Sequence, residues 1–238
     1  MDRFFGRVRK SEAVIENGEF RHFKVKRVKS DDEIEVIDIE TFQPYLCRVE
    51  KIEKKRVRLK VLKKLEPNLP KVSITLYQCV PIKLSTFDEI VGMVSQVGAT
   101  RIVPTISKRS FQKISVIEEK LKRWRTIALE SMKQCGRHQP LIVEKPVKLN
   151  QLNPTEDLKI FPFERGDENI CSFLEDKSTK SAAVLIGPEG GFSKEEAEFL
   201  KGKNWYTVSL GNFVLKAETA AVTSVSLVYN ALLKNHAE

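Results

Sequence analysis

The sequence predicts an α/β protein in which a small β-barrel domain precedes a domain built on a parallel sheet. Three consecutive stretches before residue 70 alternate apolar and polar residues, which is typical of the short strands of a barrel. After residue 70, apolar runs of strand length alternate with helical patterns, as in a parallel sheet covered on both faces. Two glycine-bearing turns near the C-terminus each join an apolar run to a helical pattern. Turns of this kind lie at the edge of an open α/β sheet, where ligands bind.

The predicted barrel domain spans residues 1–70. Its alternating stretches are 31–37, 45–52 and 56–62, and the closely spaced Pro67 and Pro70 mark a linker. Aromatic residues stand among its many cations, and they are Phe4, Phe5, Phe20, His22 and Phe23. This mixture suits phosphate contact and base stacking, although we favour the barrel core for each aromatic residue taken singly.

The second predicted domain spans residues 71–238 and alternates strands with helices. The predicted strands are 72–76, 101–104, 158–161, 182–186 and 206–210. A capping box from Thr86 to Glu89 predicts the start of one helix. A second, longer helix has a buried stripe formed by Ile117, Leu121, Trp124, Ala128 and Cys135. The final helix, 217–233, is apolar on much of its circumference, so another part of the molecule must bury it.

Length and composition set the outer bounds. The chain has 238 residues, which is enough for two modest domains with a core. No apolar run approaches the roughly 20 residues of a membrane span, so we expect a cytoplasmic protein without membrane contact. Four scattered cysteines form no Cys-x-x-Cys pair, and they are Cys47, Cys79, Cys135 and Cys171. We expect each to be a small core residue, with neither disulfides nor a metal site.

The net charge of +9 is unevenly distributed along the chain. Lysine and arginine are in excess in residues 1–70 and 101–148, whereas residues 149–238, which contain the glycine turns, are acidic overall. A basic region separated from the turns is typical of a polyanion-binding surface. A lysine- and glutamate-rich solubilising surface, as in heat-stable proteins, is the alternative. The clustering of the cations favours nucleic acid.

The glycine turns exclude two common nucleotide sites. Their sequences are IGPEGGFS at 186–193 and SLGNFVLKAETA at 209–220. No Gly-Lys-Ser/Thr triplet follows Gly191, as a phosphate loop requires, and the glycine spacing is not that of a dinucleotide fingerprint. A capping box at 193–196 starts a helix directly after the first turn. Glu189, with Glu195 and Glu196 nearby, favours a ligand that carries positive charge over a polyphosphate.

This pair of turns resembles the cofactor loops of the RsmE-type ribosomal RNA methyltransferases, members of the SPOUT superfamily. Further stretches occur in the family's order, namely Arg3-Phe4-Phe5, His22 with Lys26-Arg27-Val28, the helix from Lys122-Arg123-Trp124 to Gln134 and Arg137, and Phe163-Glu164. The resemblance spans nearly the whole chain, and Gly-Pro-Glu-Gly-Gly is its most specific part. The chain departs from the family where Lys216-Ala217 replaces Arg-Thr and where Gln96-Val97-Gly98 replaces Glu-Leu-Gly.

The resemblance implies a PUA-like RNA-binding barrel, a SPOUT methyltransferase domain with a C-terminal trefoil knot, and a homodimer. It implies methylation of N3 of a uridine in 16S ribosomal RNA of the small ribosomal subunit, with S-adenosyl-L-methionine as donor. Cofactor binding is expected from Phe163, Glu164, Ile186, Gly187, Pro188, Gly190, Ser209, Leu210, Gly211, Asn212, Leu215 and Thr219. RNA contact is expected from Arg3, Arg7, His22, Arg27, Arg123 and Arg137.

The residues leave the catalytic group open. Uridine N3 carries a proton, which Glu189 or Glu218 could accept, or Lys216 or Arg137 could stabilise the developing anion. Glu218 equally suits a structural role at a helix start. Two other functions also stay open. The departures at Lys216 and Ala217 are compatible with a non-catalytic RNA-binding protein that retains the fold, and a different nucleotide-binding α/β enzyme is the third alternative.

Overall fold

The computed structural model of the protein describes residues 1–163, 166 and 168–235, and the chain divides into two compact units. The first unit contains Met1–Leu69 together with Cys135–Gln139. The second contains residues 70–134 and the described residues from 140 onward. Five residues at and beyond the end of a long helix therefore belong to the first unit, although nothing in their local sequence indicates it.

The first unit is a closed five-stranded barrel. Its elements are β1 (Arg3–Arg9), β2 (Glu12–Glu16), α1 (Asn17–Val25), β3 (Glu33–Asp38), β4 (Pro44–Ile52) and β5 (Arg56–Lys64). The strand order is β1-β2-β5-β4-β3, and parallel pairing of β1 with β3 closes the barrel. The predicted barrel is confirmed. The pattern did not predict β1, β2 or α1. In each of the two strands only two positions are buried, so the alternation is short.

The aromatic residues of this unit are mainly core residues. Phe4, Phe20 and Phe23 are buried in one cluster with the inward-facing residues of the barrel strands. The His22 ring meets the Phe4 ring edge-on, with 5.4 Å between the ring centroids. The interpretation as barrel core is thus confirmed for the three phenylalanines, and their burial excludes them as surfaces for base stacking.

The second unit is built on a parallel sheet. Its elements are β6 (Ser73–Cys79), α2 (Leu84–Gln96), β7 (Arg101–Ile106), α3 (Ile114–Cys135), β8 (Ile142–Val143), β9 (Val147–Lys148), a 3-10 turn (Leu149–Gln151), β10 (Leu158–Pro162), β11 (Glu168–Asn169), α4 (Ile170–Leu174), β12 (Ser181–Ile186), α5 (Lys194–Lys201), β13 (Tyr206–Ser209) and α6 (Ala217–Lys234). The strand order is β11-β13-β10-β12-β6-β7-β8, and β9 also pairs with β7. Every strand pair in the described part of this sheet is parallel. The predicted parallel sheet is confirmed.

Residues of the central strand β12 alternate between two apolar layers. Ala182, Val184 and Ile186 pack in the layer that contains the buried faces of α2, α3 and α6. Ala183 and Leu185 pack in the opposite layer, which contains the buried face of α5. Burial on both faces explains why this strand is apolar without alternation.

The final helix α6 is buried as its composition predicted. Ala221, Val225, Val228 and Leu232 recur at helical spacing and are fully buried. They pack with residues of α2 and of the central strands in one cluster. Across the described chain, no helix combines the length and the apolar character needed to cross a membrane.

Two local expectations were wrong. The capping box at Thr86 does not form, because α2 begins at Leu84 and the Thr86 N–H already donates to the Lys83 carbonyl at 3.0 Å inside the first turn. Cys135 and Cys171 are exposed, whereas Cys47 and Cys79 are buried. Cys135 is the last residue of α3, where the buried stripe has already ended. Burial raises the pKa of the other two thiols, Cys47 and Cys79, to about 12.

Candidate cofactor site

A pocket of about 750 Å³ lies at the carboxyl ends of neighbouring strands of the parallel sheet. Phe163 lines it from the end of β10, residues 186–192 from the turn after β12, and residues 209–218 from the segment after β13. Lys83, after β6, and Arg109, after β7, also line it. The volume lies within the range of small-molecule and cofactor sites. Both predicted glycine turns therefore open into one cavity.

The turn after β12 is held by main-chain and side-chain hydrogen bonds. The Gly191 N–H donates to the Pro188 carbonyl at 2.8 Å. Gly191 has a φ of +64°, a left-handed conformation that side chains disfavour. The Ile82 N–H donates to the Glu189 carboxylate at 3.3 Å. Glu189 thus ties the turn to the loop after β6, in addition to lining the pocket.

The predicted capping box after this turn is confirmed. Ser193 Oγ accepts the Glu196 N–H at 3.3 Å, and Glu196 Oε2 accepts the Ser193 N–H at 2.9 Å. The Ser193 hydroxyl donates to Glu195 at 2.6 Å. This bond, followed by the Glu195 N–H and by Lys108, holds the pKa of Glu195 below its usual range. Glu195 and Glu196 do not line the pocket, so of these three acidic residues only Glu189 is available to a cationic ligand there.

The turn after β13 is opened by its glycine. Ser209 Oγ accepts the Gly211 N–H at 3.2 Å and donates to the Gly211 carbonyl at 3.1 Å. Gly211 has a φ of +117°, and a methyl group placed on its Cα would meet no heavy atom of the described chain within 4 Å. Its open side therefore leaves room for a ligand to approach the main chain.

The N-terminus of α6 forms a further wall. Lys216 is the N-cap, and Ala217, Glu218 and Ala220 face the pocket. Thr219, expected to bind the cofactor, is not among the lining residues. The reason is helical geometry: at 3.6 residues per turn, position 219 points away from the direction shared by 217, 218 and 220.

The pocket brings together most of the residues expected from the sequence. Lining residues among the predicted ones are Phe163, Ile186, Gly187, Pro188, Glu189, Gly190, Ser209, Leu210, Gly211, Asn212, Leu215, Lys216 and Glu218. Glu164 lies outside the described residues. Arg137 belongs to the first compact unit, where its side chain is buried.

Several lining residues were not predicted from the sequence. Lys83 and Arg109 follow β6 and β7 at the same edge of the sheet, so the rule that ligands bind at the carboxyl ends of strands could have nominated them. Phe213 and Val214 lie in the segment after Gly211 and are 86% and 79% exposed. Both lie inside the second glycine-bearing turn, 209–220, and that position was the only signal for them.

The residues expected to contact RNA are largely engaged within the protein. Arg3 forms an ion pair with Glu35. Arg7 lies 3.2 Å from Glu16, and Arg123 Nε donates to Asp88 at 2.7 Å. The other Asp88 oxygen accepts the Trp124 indole N–H at 2.8 Å, which joins α2 to α3. Arg27 is exposed and has a φ of +55°. The side chains of Arg7 and Arg123 remain 61% and 62% exposed.

A buried polar cluster links the segment 135–139 to the barrel. The Asn68 N–H donates to His138 Nδ1 at 2.7 Å, so that nitrogen carries no proton and the neutral ring donates from Nε2 to Glu35 at 2.8 Å. Burial raises the pKa of Glu35, but the hydrogen bonds from Arg3 and His138 and the charge of Arg3 outweigh it. The pKa of Glu35 therefore lies below its ordinary value of 4.5.

A main-chain-lined pocket at the carboxyl ends of parallel strands defines a ligand-binding α/β protein, here with an added small barrel. The chain belongs to the RNA methyltransferase family. The profile of the RNA methyltransferase domain matches residues 67–229, and that of the RNA methyltransferase PUA domain matches residues 15–62.

Relatives and solved structures agree with this assignment. The chain is 37% identical to the ribosomal RNA small subunit methyltransferase E of Aquifex aeolicus, over 91% of this chain and 93% of that protein. It is 31% identical to the enzyme of the same name from Mesomycoplasma hyopneumoniae, over 88% and 90% of the two chains. A methyltransferase from Legionella pneumophila, solved in complex with the cofactor SAM, is 26% identical with a TM-score of 0.83 over 96% and 97% of the chains. A structure of the ribosomal RNA small subunit methyltransferase E from Neisseria gonorrhoeae, 23% identical over 95% of each chain with a TM-score of 0.82, shares the fold.

Proposed function

We propose that the protein transfers a methyl group from S-adenosyl-L-methionine to N3 of a uridine in the 16S ribosomal RNA of the small ribosomal subunit. The observation that carries this proposal is that both glycine turns line one pocket in a member of the RNA methyltransferase family. The names of the relatives and the cofactor in the Legionella structure support it. The uridine and its N3 atom come from the resemblance of the turns to those of the RsmE-type enzymes.

The lining residues fit S-adenosyl-L-methionine. The open side of Gly211 and the left-handed Gly191 leave main-chain groups accessible to the adenosine part of the ligand. The Phe163 ring provides an apolar wall, and the carboxylates of Glu189 and Glu218 complement positive charge. When bound, this cofactor supplies an activated methyl group on a sulfonium. The chain therefore has mainly to bind and align the reactants and to exclude water.

We infer that Glu218 accepts the proton of uridine N3. Glu218 is half-buried and lines the pocket from the first turn of α6, and a carboxylate is favourably placed at that end of a helix. The alternative acceptor, Glu189, is already bound by the Ile82 N–H. Lys216 is the N-cap of the same helix, two residues before Glu218. It provides the cation that stabilises negative charge developing on the uracil oxygens.

We further propose that the exposed pair Phe213 and Val214 receives the target base. An exposed aromatic ring beside a cofactor pocket suits a base that has left its stack. Lys83 and Lys216 line the same pocket and favour the approach of a phosphate backbone.

The remaining expectations belong to the same proposal. The PUA-like barrel supplies RNA contacts through exposed cations such as Arg7 and Arg27. The enzyme is a homodimer in the cytoplasm, and the segment containing α6 forms a trefoil knot. The resemblance to the SPOUT enzymes supports the homodimer and the knot, and the ribosomal RNA named for the relatives supports the cytoplasm. Light scattering on a gel-filtration column gives twice the mass of the chain if the homodimer forms.

The decisive experiment is transfer of a radiolabelled methyl group to small ribosomal subunits from a strain that lacks the counterpart of this protein. The expected result is a single modified uridine, with the label on N3 after nuclease digestion and mapping. Label on a cytidine or a ribose hydroxyl would contradict the N3 assignment. Calorimetry that detects binding of the RNA but not of S-adenosyl-L-methionine would leave the non-catalytic RNA-binding alternative.

A further inference from the structure

The segment Ser107–Gln112, which follows β7, is held by hydrogen bonds among its own residues. The Ser107 N–H donates to Ser110 Oγ at 2.9 Å, and Ser110 Oγ donates back to the Ser107 carbonyl at 3.0 Å. Gln112 Nε2 donates to the same carbonyl at 2.8 Å and to the Ser110 carbonyl at 2.6 Å. These internal hydrogen bonds hold the shape of the segment, which is called the brace.

The brace makes two hydrogen bonds to the chain that follows β12. Arg109 Nη1 donates to the Gly190 carbonyl at 2.6 Å. The Lys108 N–H donates to Glu196 Oε1 at 2.7 Å, while the other oxygen of Glu196 caps α5. One bond therefore reaches the turn that lines the pocket, and the other reaches the first turn of the helix behind it.

The stem of Arg109 also packs over Gly190. A Cβ placed on Gly190 would lie 3.2 Å from Cδ of Arg109 and 3.6 Å from its Cβ. These separations are shorter than or close to ordinary contact, so the absence of a side chain at Gly190 is what lets Arg109 cover the turn.

We propose that Arg109 is a positioning residue for the cofactor: it fixes the Gly187–Gly191 turn through the Gly190 carbonyl in the conformation that binds S-adenosyl-L-methionine. The inference rests on the proposed function. If only a fraction of the molecules has the turn in its binding conformation, the apparent affinity for the cofactor falls in proportion to that fraction. Arg109 therefore affects the cofactor affinity through the turn. The brace follows β7, which lies two strands away from β12 in the sheet, and it is nevertheless part of the site.

The first test measures the dissociation constant of S-adenosyl-L-methionine by calorimetry for Arg109→Met and Arg109→Lys. Arg109→Met keeps much of the stem and loses the donor, and we expect the dissociation constant to rise about 10-fold, the loss of one charge-assisted hydrogen bond. Arg109→Lys retains a donor and recovers part of the affinity. Lys113→Met removes an exposed positive charge four residues further along and serves as the matched control, with affinity unchanged.

The second test is a double-mutant cycle with Gly190→Ala. In the wild-type background the added methyl group displaces Arg109, whereas in Arg109→Ala the space is open. We expect the two substitutions together to weaken cofactor binding by clearly less than the product of their single effects. Independent effects that multiply would overturn the proposal.

A direct role of Arg109 in RNA binding gives a different pattern. In that case the KM for ribosomal subunits rises in Arg109→Met while the dissociation constant of the cofactor stays at its wild-type value, which would also overturn the proposal. Thermal unfolding of each variant without ligand checks that the fold is retained. If the wild-type protein itself does not bind S-adenosyl-L-methionine, the proposed function fails before the variants are compared.

Discussion

Gly211 makes the clearest prediction for a single residue. Two features disfavour a side chain at this position: its φ of +117° suits glycine, and the open space beside it is where we expect the cofactor. The substitution Gly211→Ala strains the backbone by about 1–3 kcal/mol and places a methyl group where the cofactor is expected. We expect the dissociation constant of S-adenosyl-L-methionine to rise at least about 10-fold, measured by calorimetry.

Gly18 provides the matched control for that substitution. It lies in α1, has no positive φ, and a Cβ there would meet no heavy atom of the described residues within 4 Å. Gly18→Ala should leave cofactor binding unchanged and raise the free energy of unfolding by about 0.5–1 kcal/mol. Equal cofactor affinity in Gly211→Ala and the wild type would place the adenosine elsewhere.

Phe213 is an exposed aromatic residue at the pocket, and we propose that it contacts the target base. If the target base stacks on its ring, Phe213→Ala should raise the KM for small ribosomal subunits about 10-fold, because base stacking on an aromatic ring contributes about 1–3 kcal/mol. Cofactor affinity should not change, and Phe213→Tyr should restore the KM. A change in oligomeric mass by light scattering would instead assign Phe213 to a contact between copies of the chain.

At the scale of the element, α5 is set by both local and distant bonds. The capping box between Ser193 and Glu196 follows from the local sequence. The bond from the Lys108 N–H to the second oxygen of Glu196 does not, because it spans 88 positions of the chain. Sequence periodicity could therefore predict the helix start but not what it is fastened to.

The double role of Glu196 makes a prediction at this scale. Glu196→Gln keeps the size of the side chain but replaces one acceptor oxygen by an amide donor, so one of the two N–H groups loses its partner. We expect the free energy of unfolding in urea to fall by about 1–2 kcal/mol. Glu198→Gln, on the exposed face of the same helix, should change it by less than about 0.5 kcal/mol. Equal effects of the two substitutions would contradict the bridging role.

At the scale of the whole molecule, the barrel unit is completed by a distant segment. Glu35 lies among Arg3 and His138, and its pKa is lowered. Since the folded-state pKa is below the unfolded one, the stabilisation is present above the ordinary value of 4.5 and is lost as the pH falls through the folded-state pKa. The barrel unit should therefore lose stability below about that pH.

Hydrogen exchange can follow this loss, measured by mass spectrometry on peptides from residues 1–69. The pH is varied from about 3 to about 7, which covers the ordinary pKa values of carboxyl groups. Glu35→Gln should reduce protection at neutral pH by about 2 kcal/mol, because two donors lose a charged acceptor, and should flatten the acid dependence. Glu33→Gln, whose side chain is 43% exposed and paired with Arg48, is the control. An unchanged acid profile in Glu35→Gln would assign the pH dependence to other carboxylates.

The sequence by itself determined the strands β3 to β5 of the barrel, the alternation of strands and helices that follows, and the chemistry of the two turns. Alternation with period two, helical stripes, a capping box and glycines at 191 and 211 are properties of neighbouring residues, so they predict barrel strands, helices and a ligand-binding edge. The order of the strands in the sheet, and with it the meeting of Lys83, Arg109 and Phe163 at one pocket, required the tertiary structure.

The tertiary structure also decided which arginine side chains are paired with other groups of the protein. The pairing of Arg123 with Asp88 and of Arg3 with Glu35 joins residues more than thirty positions apart, and the bond from Arg109 to Gly190 joins residues 81 positions apart. Local patterns carry no information about such partners, because a parallel strand can be reached through crossovers of many lengths. The physical reason is that secondary structure depends on nearby residues, whereas the site depends on the order in which the strands lie beside one another.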